Sequence, residues 1–357
     1  KSVIPVPVYD AHPEYNELYW KAWDLAHDHL KNIPGMPQTP YMDEAFCDTD
    51  IWIWDTCFMS MFCKYAQSRF PGVETLNNFY ETLHDGRKLP SVIPHNAPGW
   101  TGAKDGVPAP LYIHIADNPP LFAWAEYANA MFSADRDHIK DLLLNKQYLQ
   151  KHFHFLDSMR ESKQIEGIRA DTRLKKHPHG YYWEGGRSGM DNTPRGRKGN
   201  SSEAERPNNP DMLWIDALAQ QGFSALCIVR LAQWIGEDVL VSEWQKKYEE
   251  IKTLVNRYYW DEKDGFYYDI HAESSEFIKV MTPASFWPFL AEMATPEQAE
   301  KMSRKLIDSK KLGGEVPCLS LARDDGDFNA VDGHYWRGSL WLPTAYMTIK
   351  SIENYNM

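Results

Sequence analysis

Apolar residues return with a helical period in ten separate stretches of this chain, while strand-like signals are weak and local, so the fold must be assembled chiefly from helices. Residues 15–30 place Leu18, Trp20, Ala22, Leu25, Ala26 and Leu30 near a 3.6-residue repeat and end at Pro34-Gly35. Residues 54–65, with Phe58, Met59, Met61 and Phe62, are apolar on nearly every side, which predicts a helix buried all round. Further helices are predicted over 73–83, 119–132, 139–159, 213–235, 239–260, 283–293, 296–308 and 339–355, several opening with Pro or with Asp or Thr in capping position. The clearest strand signal is 265–269. Between helices lie Gly/Pro/Asp-rich connections at 89–116, 165–210 and 313–333, too long for simple loops and therefore candidates for function.

At 357 residues and 43% hydrophobic, the chain can bury one large core or two ordinary ones. No sharp linker divides it, which favours a single domain over 1–357, with two helical domains as the next reading. The formal net charge of -12 and the lack of a long Lys/Arg block argue against a nucleic-acid partner. No run approaches the 18 or so apolar residues of a membrane span. The five cysteines lack metal-ligand spacing, and Cys57 and Cys63 read as small buried hydrophobes. The chain opens at Lys1 rather than Met. That points to a removed signal peptide and a periplasmic or secreted setting, with a trimmed cytoplasmic chain left open.

The 14 Trp, 19 Tyr and 15 Phe supply flat apolar faces of the kind that pack against sugar rings, although they serve equally to fill a large helical core. Three clusters combine such faces with charge. In Tyr182-Trp183-Glu184-Gly185-Gly186-Arg187-Ser188-Gly189-Met190-Asp191-Asn192-Thr193-Pro194-Arg195, glycines let the backbone carry Asp191 into a tight pocket. A carboxyl that stays protonated near neutrality needs burial or a like charge, so Arg195 is expected to bind sugar hydroxyls rather than pair with Asp191. Alternatively Asp191-Asn192 forms only an Asx-type turn. In Asp48-Thr49-Asp50-Ile51-Trp52-Ile53-Trp54-Asp55, an extended backbone would put Trp52 and Trp54 on one face as a sugar-subsite wall. Asp55 would then accept hydroxyl hydrogen bonds or cap the following helix. In Asp332-Gly333-His334-Tyr335-Trp336-Arg337-Gly338-Ser339-Leu340-Trp341, Trp336 and Arg337 offer an aromatic face and a guanidinium fork to a polyhydroxyl ligand; alternatively the stretch is only a helix start with Trp341 in the core. The pairs His152/His154 and His177/His179 lack the further ligands of a zinc site. Residues 261–265 read as a tight turn rather than a calcium loop, and nucleotide-binding glycine motifs are missing. No metal or other cofactor is implied.

Trp54-Asp55, Ser188-Gly189-Met190-Asp191-Asn192-Thr193-Pro194-Arg195, Trp214-Ile215-Asp216-Ala217-Leu218-Ala219 and Tyr335-Trp336-Arg337-Gly338, in this order, resemble glycoside hydrolase family 63 over nearly the whole chain. That family includes processing and bacterial α-glucosidases and mannosylglycerate hydrolases; trehalases share a weaker form of the pattern. The resemblance implies an all-α (α/α)6 toroid of twelve helices that hydrolyses α-linked glucosides or mannosides with inversion, its substrate an oligosaccharide or small α-glycoside. It makes Asp191 the general acid and puts Trp54, Asp55, Arg195, Trp336 and Arg337 around the cleaved sugar. The family's general base is a Glu before the last helix. Here ten helices are read where twelve are wanted, so the last two helices and the base are expected beyond Met357, with Glu353 and Glu315 as weaker candidates. The chain alone is then expected to be inactive and to expose an apolar flank. Two other readings stay open: a sugar isomerase or epimerase on the same toroid using His95, His177 or His334, and a non-catalytic carbohydrate-binding or scaffold protein.

Overall fold

A computed structural model describes residues 2–33, 36–44, 50–83, 92–94, 103–104, 107–108, 119–158, 174–199 and 204–357. Most of the 89–116 connection, part of 165–210, and Pro34-Gly35, Cys47, Asp48 and His95 lie outside the described residues. The chain falls into two compact units, one formed by 1–117, 121–152 and 163–172, the other by 118–120, 153–162 and 173–357.

In the first unit, the Pro13–Asp28 helix turns Trp23 and Ala26 inward. They meet Met59 and Cys63 of the Ile53–Cys63 helix in a cluster with Ile4, Met42, Ala66 and Phe70. This second helix is buried on most sides as expected, except that Phe62 stays 40% exposed. Two predicted helices are interrupted. Residues 73–83 form Gly72–Thr75 and Asn77–Leu83. Residues 139–159 divide into Arg136–Lys140, a wide turn over Asp141–Lys146, and Tyr148–Asp157, because Gln147 takes a left-handed φ of 56° that no continuous helix accommodates. The Phe122–Ser133 helix carries Glu126 wholly inside.

The second unit is built on a helical hairpin. Ile215–Ile235 is buried along almost its whole length and turns at Gly236 (φ 85°) into Asp238–Tyr258, whose inward residues Trp244, Tyr248, Ile251 and Val255 follow the helical period. The helix can approach its neighbours closely at Gly222, where a Cβ would stand 2.3 Å from Met293 Cε and 2.8 Å from Ile251 Cγ2. The Pro296–Ile307 helix opens on a capping box between Thr295 and Gln298. Residues 283–293 form a tight turn, Pro283–Phe286, and one helical turn, Trp287–Leu290. The Leu342–Glu353 helix starts three residues later than predicted and exposes Leu342 (74%), Tyr346 (37%) and Ile349 (50%) along one stripe.

An antiparallel five-stranded sheet, which the weak local strand signals do not anticipate, runs in the order Phe277–Ile278, Asp269–His271, Met212–Leu213, Gly180–Tyr182, Lys175–His177. Ile270 and Tyr182 both pair with Leu213, and the Trp214 N–H donates to the Tyr181 carbonyl at 2.9 Å. The sheet thereby gathers the start of the Asp191 loop, the start of the Ile215–Ile235 helix and Asp269. Residues 261–265 form the expected tight turn, closing a hairpin between Trp260–Asp261 and Phe266–Tyr267.

Candidate active site

Asp191 sits where the sheet releases the chain. After Gly180–Tyr182 comes a single helical turn, Gly185–Ser188, ended by Gly189 at φ 82°, a left-handed position that glycine adopts without a Cβ clash. The loop then folds back on itself, so that a Cβ on Gly185 would lie 3.0 Å from the Asp191 carbonyl oxygen. The Asp191 side chain is left 27% exposed, enough for a ligand to reach it. Burial pushes its carboxyl above the ordinary range. The opposing influences are Arg206, 3.5 Å away and itself 63% exposed, the nearby Tyr335 hydroxyl, its own backbone N–H, and Arg187. Burial prevails, which suits a proton donor.

Asn192 fastens this loop to residues 333–338. Its amide nitrogen donates to the His334 carbonyl at 2.9 Å, and its amide oxygen accepts from the Trp336 N–H at 2.8 Å. Arg337 closes the joint by donating through Nε to the Asn192 carbonyl at 3.1 Å and through Nη2 to the Ala204 carbonyl at 2.7 Å. Between these fastenings the backbone is strained. His334 (φ 35°) and Tyr335 (φ 66°) follow Gly333 (φ 72°) in the left-handed region, at a cost of about 1 to 3 kcal/mol for each non-glycine residue. Trp336 is 1% exposed and stacked on Trp341 with centroids 4.4 Å apart.

The expectation that Arg195 binds sugar hydroxyls needs correcting. Arg195 is 1% exposed and its guanidinium lies 4.4 Å above the Trp214 ring. It donates to Asp216 at 2.6 and 2.9 Å and to Asp269 at 2.8 and 2.6 Å. A buried fork engaged by two carboxylates is held beneath the loop, where it ties residue 195 to the helix start and to the sheet. Asp269 also accepts the Ile215 N–H at 2.9 Å, and burial pushes its carboxyl upward against the pull of Arg195. Trp336 and Arg337 likewise depart from the expected contact with sugar: both are largely buried, the ring stacked on Trp341 and the guanidinium engaged by backbone carbonyls.

The remaining predicted residues belong to the other compact unit. Trp52 is the last residue of the Asp50–Trp52 strand, and Ile53 already begins a helix, so Trp52 and Trp54 do not share the face of one strand. Trp54 is 8% exposed, with its ring edge-on to Phe58. Asp55 is half-buried in the first helical turn, beyond the cap position at Trp52, where a carboxylate favours the positive end of the helix dipole. Glu44, unnoticed in the sequence, accepts the Trp52 N–H at 2.7 Å, and burial together with Asp55 pushes its carboxyl well above the usual range.

Of the weaker candidates, Glu353 is 55% exposed and paired with Lys350 at 2.7 Å, while Glu315 is exposed. His177 packs against His179 and Tyr182, and His334 faces Glu205 at 3.5 Å. Among the described residues no three metal-ligating side chains cluster, and no helix is long and apolar enough to cross a membrane. Asn192 and Tyr335 were within quoted motifs but went unremarked, whereas Asp216 and Asp269 could be found only once distant segments had been brought together.

Residues 49–356 match the family model described as the mannosylglycerate hydrolase MGH1-like glycoside hydrolase domain. A Borreliella burgdorferi protein is 23% identical over 302 residues, 83% of this chain and 54% of its own length. The mannosyl-oligosaccharide glucosidase of Saccharomyces cerevisiae is 27% identical over 179 residues, 47% of this chain and 20% of the yeast protein. The chain thus spans about half or less of these curated relatives. Among solved structures, the family 63 mannosylglycerate hydrolase of Thermus thermophilus in complex with glucose superposes with a TM-score of 0.70 at 17% identity, covering 94% of this chain and 86% of that one. The shared fold is the helical toroid of the (α/α)6 kind anticipated from the sequence.

Proposed function

We propose, because the chain belongs to the mannosylglycerate hydrolase MGH1-like glycoside hydrolase family, that it hydrolyses α-glucosides or α-mannosides of modest size with inversion, and that Asp191 protonates the departing glycosidic oxygen. The observation that carries this reading is a carboxyl left 27% exposed and pushed above its ordinary range by burial, on a loop fixed from both sides. As the C1–O bond breaks, the Asp191 proton passes to the leaving oxygen, and water attacks the opposite face of the ring. A second carboxylate about 6.5 to 9.5 Å from the acid has to take a proton from that water. Glu353 and Glu315 point to solvent and are not presented in that way. The names of relatives, a mannosylglycerate hydrolase and a mannosyl-oligosaccharide glucosidase, support the choice of sugars.

The test is Asp191→Asn in the full-length protein, assayed on a panel of α-glucosides, α-mannosides and mannosylglycerate. A loss of about 100-fold or more on unactivated substrates is expected, with inverted product configuration by proton NMR. Wild-type rates in the variant would remove Asp191 from the reaction.

A further inference from the structure

We infer that a polar cavity of the first compact unit binds a small primary ammonium ion, through Glu74, Asn129 and Asp135. The site uses no residue of the Asp191 loop and stands whether or not Asp191 is the acid.

One helix face builds most of the cavity. Glu126, Asn129, Ala130 and Ser133 recur at i, i+3, i+4 and i+7 of Phe122–Ser133, so they lie on the same side of the helix. A cavity of about 90 Å³ opens there, bounded also by Val73, Glu74, Asp135 and His138, all within the first unit. That is several times the roughly 10–15 Å³ that a single water needs. Ser133 and Asp135 are exposed, so the cavity communicates with solvent.

The hydrogen bonds around it leave acceptors over. Glu126, wholly buried, accepts from the Tyr80 hydroxyl at 2.9 Å and lies 2.7 Å from His138 Nε2, so both of its oxygens are engaged. Gln67 Nε2 is spent on Glu74 Oε1 at 2.8 Å, and Asn129 Nδ2 on the Ala125 carbonyl of its own helix at 2.8 Å. Glu74 Oε2 and Asn129 Oδ1 are then buried with no hydrogen-bond partner, in the second case on a side chain only 3% exposed. Buried acceptors are rarely left so, and each is costly until a donor meets it. Asp135 adds a carboxylate at the mouth, where one oxygen accepts the His138 N–H at 2.9 Å. No Lys or Arg lines the cavity.

Acceptors and carboxylates without free cations select a positively charged donor and repel an anion. A –NH3+ group carries three N–H donors, enough for Glu74 Oε2, Asn129 Oδ1 and the Asp135 carboxylate. Among the described residues no three metal-ligating side chains cluster, which disfavours a divalent ion here. Val73 and Ala130, 7% and 3% exposed, supply a short apolar wall that a methyl group covers and a bare alkali ion does not.

Methylammonium chloride is the probe, titrated into the full-length protein at constant ionic strength and followed by saturation transfer to its methyl protons. A ligand of two non-hydrogen atoms should saturate with a dissociation constant of about 10 mM. Glu74→Gln should weaken it about tenfold. Asp135→Asn keeps the helix cap while removing the charge at the mouth, and should weaken it about threefold. Should Glu74→Gln fail to fold, Asp135→Asn decides alone. Asp191→Asn should bind as the wild type does. The absence of saturable transfer would mean that the cavity holds only water and would overturn the inference. So would binding lost in Asp191→Asn but kept in Glu74→Gln, which puts the amine at the acid loop, or binding abolished when potassium replaces sodium, which makes the site one for a bare monovalent ion.

Discussion

Asn192 commits both ends of its amide to one backbone segment, and so an uncharged residue ties the Asp191 loop to residues 334–336. Asn192→Ala would leave the His334 carbonyl and the Trp336 N–H without their partner, in a region where Asn192 is 1% exposed. Each unmet group costs about 1 to 3 kcal/mol, so urea unfolding should show a loss of about 2 to 6 kcal/mol. With the clasp gone, the left-handed run can relax and turnover should fall further than the loss of folded protein explains. A loss below about 1 kcal/mol would mean that water replaces the amide readily. Asp191 stands out in the sequence because a carboxyl among glycines in a long loop can reach a ligand, and its side chain is left 27% exposed. Arg195 was misread at the same scale. A guanidinium near aromatics reads equally as a sugar-binding fork or a buried ion pair, and its deciding partners, Asp216 and Asp269, lie 21 and 74 residues away.

Among the elements, every predicted helical stretch contains helix, since periodic burial over three or more turns is a strong local signal. The breaks were hidden: Gln147 turns left-handed without being glycine, and Pro288 lies where a tight turn hands over to a single helical turn. The five-stranded sheet was illegible because its strands are only two or three residues long, too short to display alternation. Its cohesion at the site depends on one side chain, since Arg195 joins the loop, the Ile215–Ile235 helix start and the Asp269–His271 strand. Arg195→Met keeps the length and removes the charge, leaving two carboxylates facing each other without water. Breaking a buried pair in this way costs about 3 to 5 kcal/mol. The expected result is a Tm lowered by many degrees together with loss of activity. A variant with wild-type Tm would show that the cluster contributes little to holding these elements together.

For the whole molecule, the pH dependence of stability follows from the few groups whose titration differs between the folded and unfolded chain. Cys57 and Cys63 are pushed upward by burial, and so are Tyr80, Tyr259 and Tyr267, so these groups stay neutral through the mildly alkaline range. His154 and His177 are lowered chiefly by burial; their contribution falls on the acidic side of 6.5, where protonation favours the unfolded chain. His138 behaves oppositely. Its Nε2 lies 2.7 Å from Glu126, a wholly buried carboxylate that also accepts from the Tyr80 hydroxyl at 2.9 Å. Glu126 raises the imidazole to about 9, helped by Asp135 and Glu74 and opposed by desolvation. A raised folded value means the stabilisation is fully present below the unfolded value near 6.5 and is lost as pH climbs through about 9. Because His138 is 36% exposed, solvent screening reduces the effect, and the expected readout is a comparison rather than an absolute energy. Wild-type Tm should decline from pH 6 to pH 9.5, and His138→Gln, which keeps a hydrogen-bonding side chain without the charge, should start lower at pH 6 and decline less. Parallel Tm curves for the two proteins across that interval would show that the Glu126–His138 pair does not set the alkaline stability of this chain.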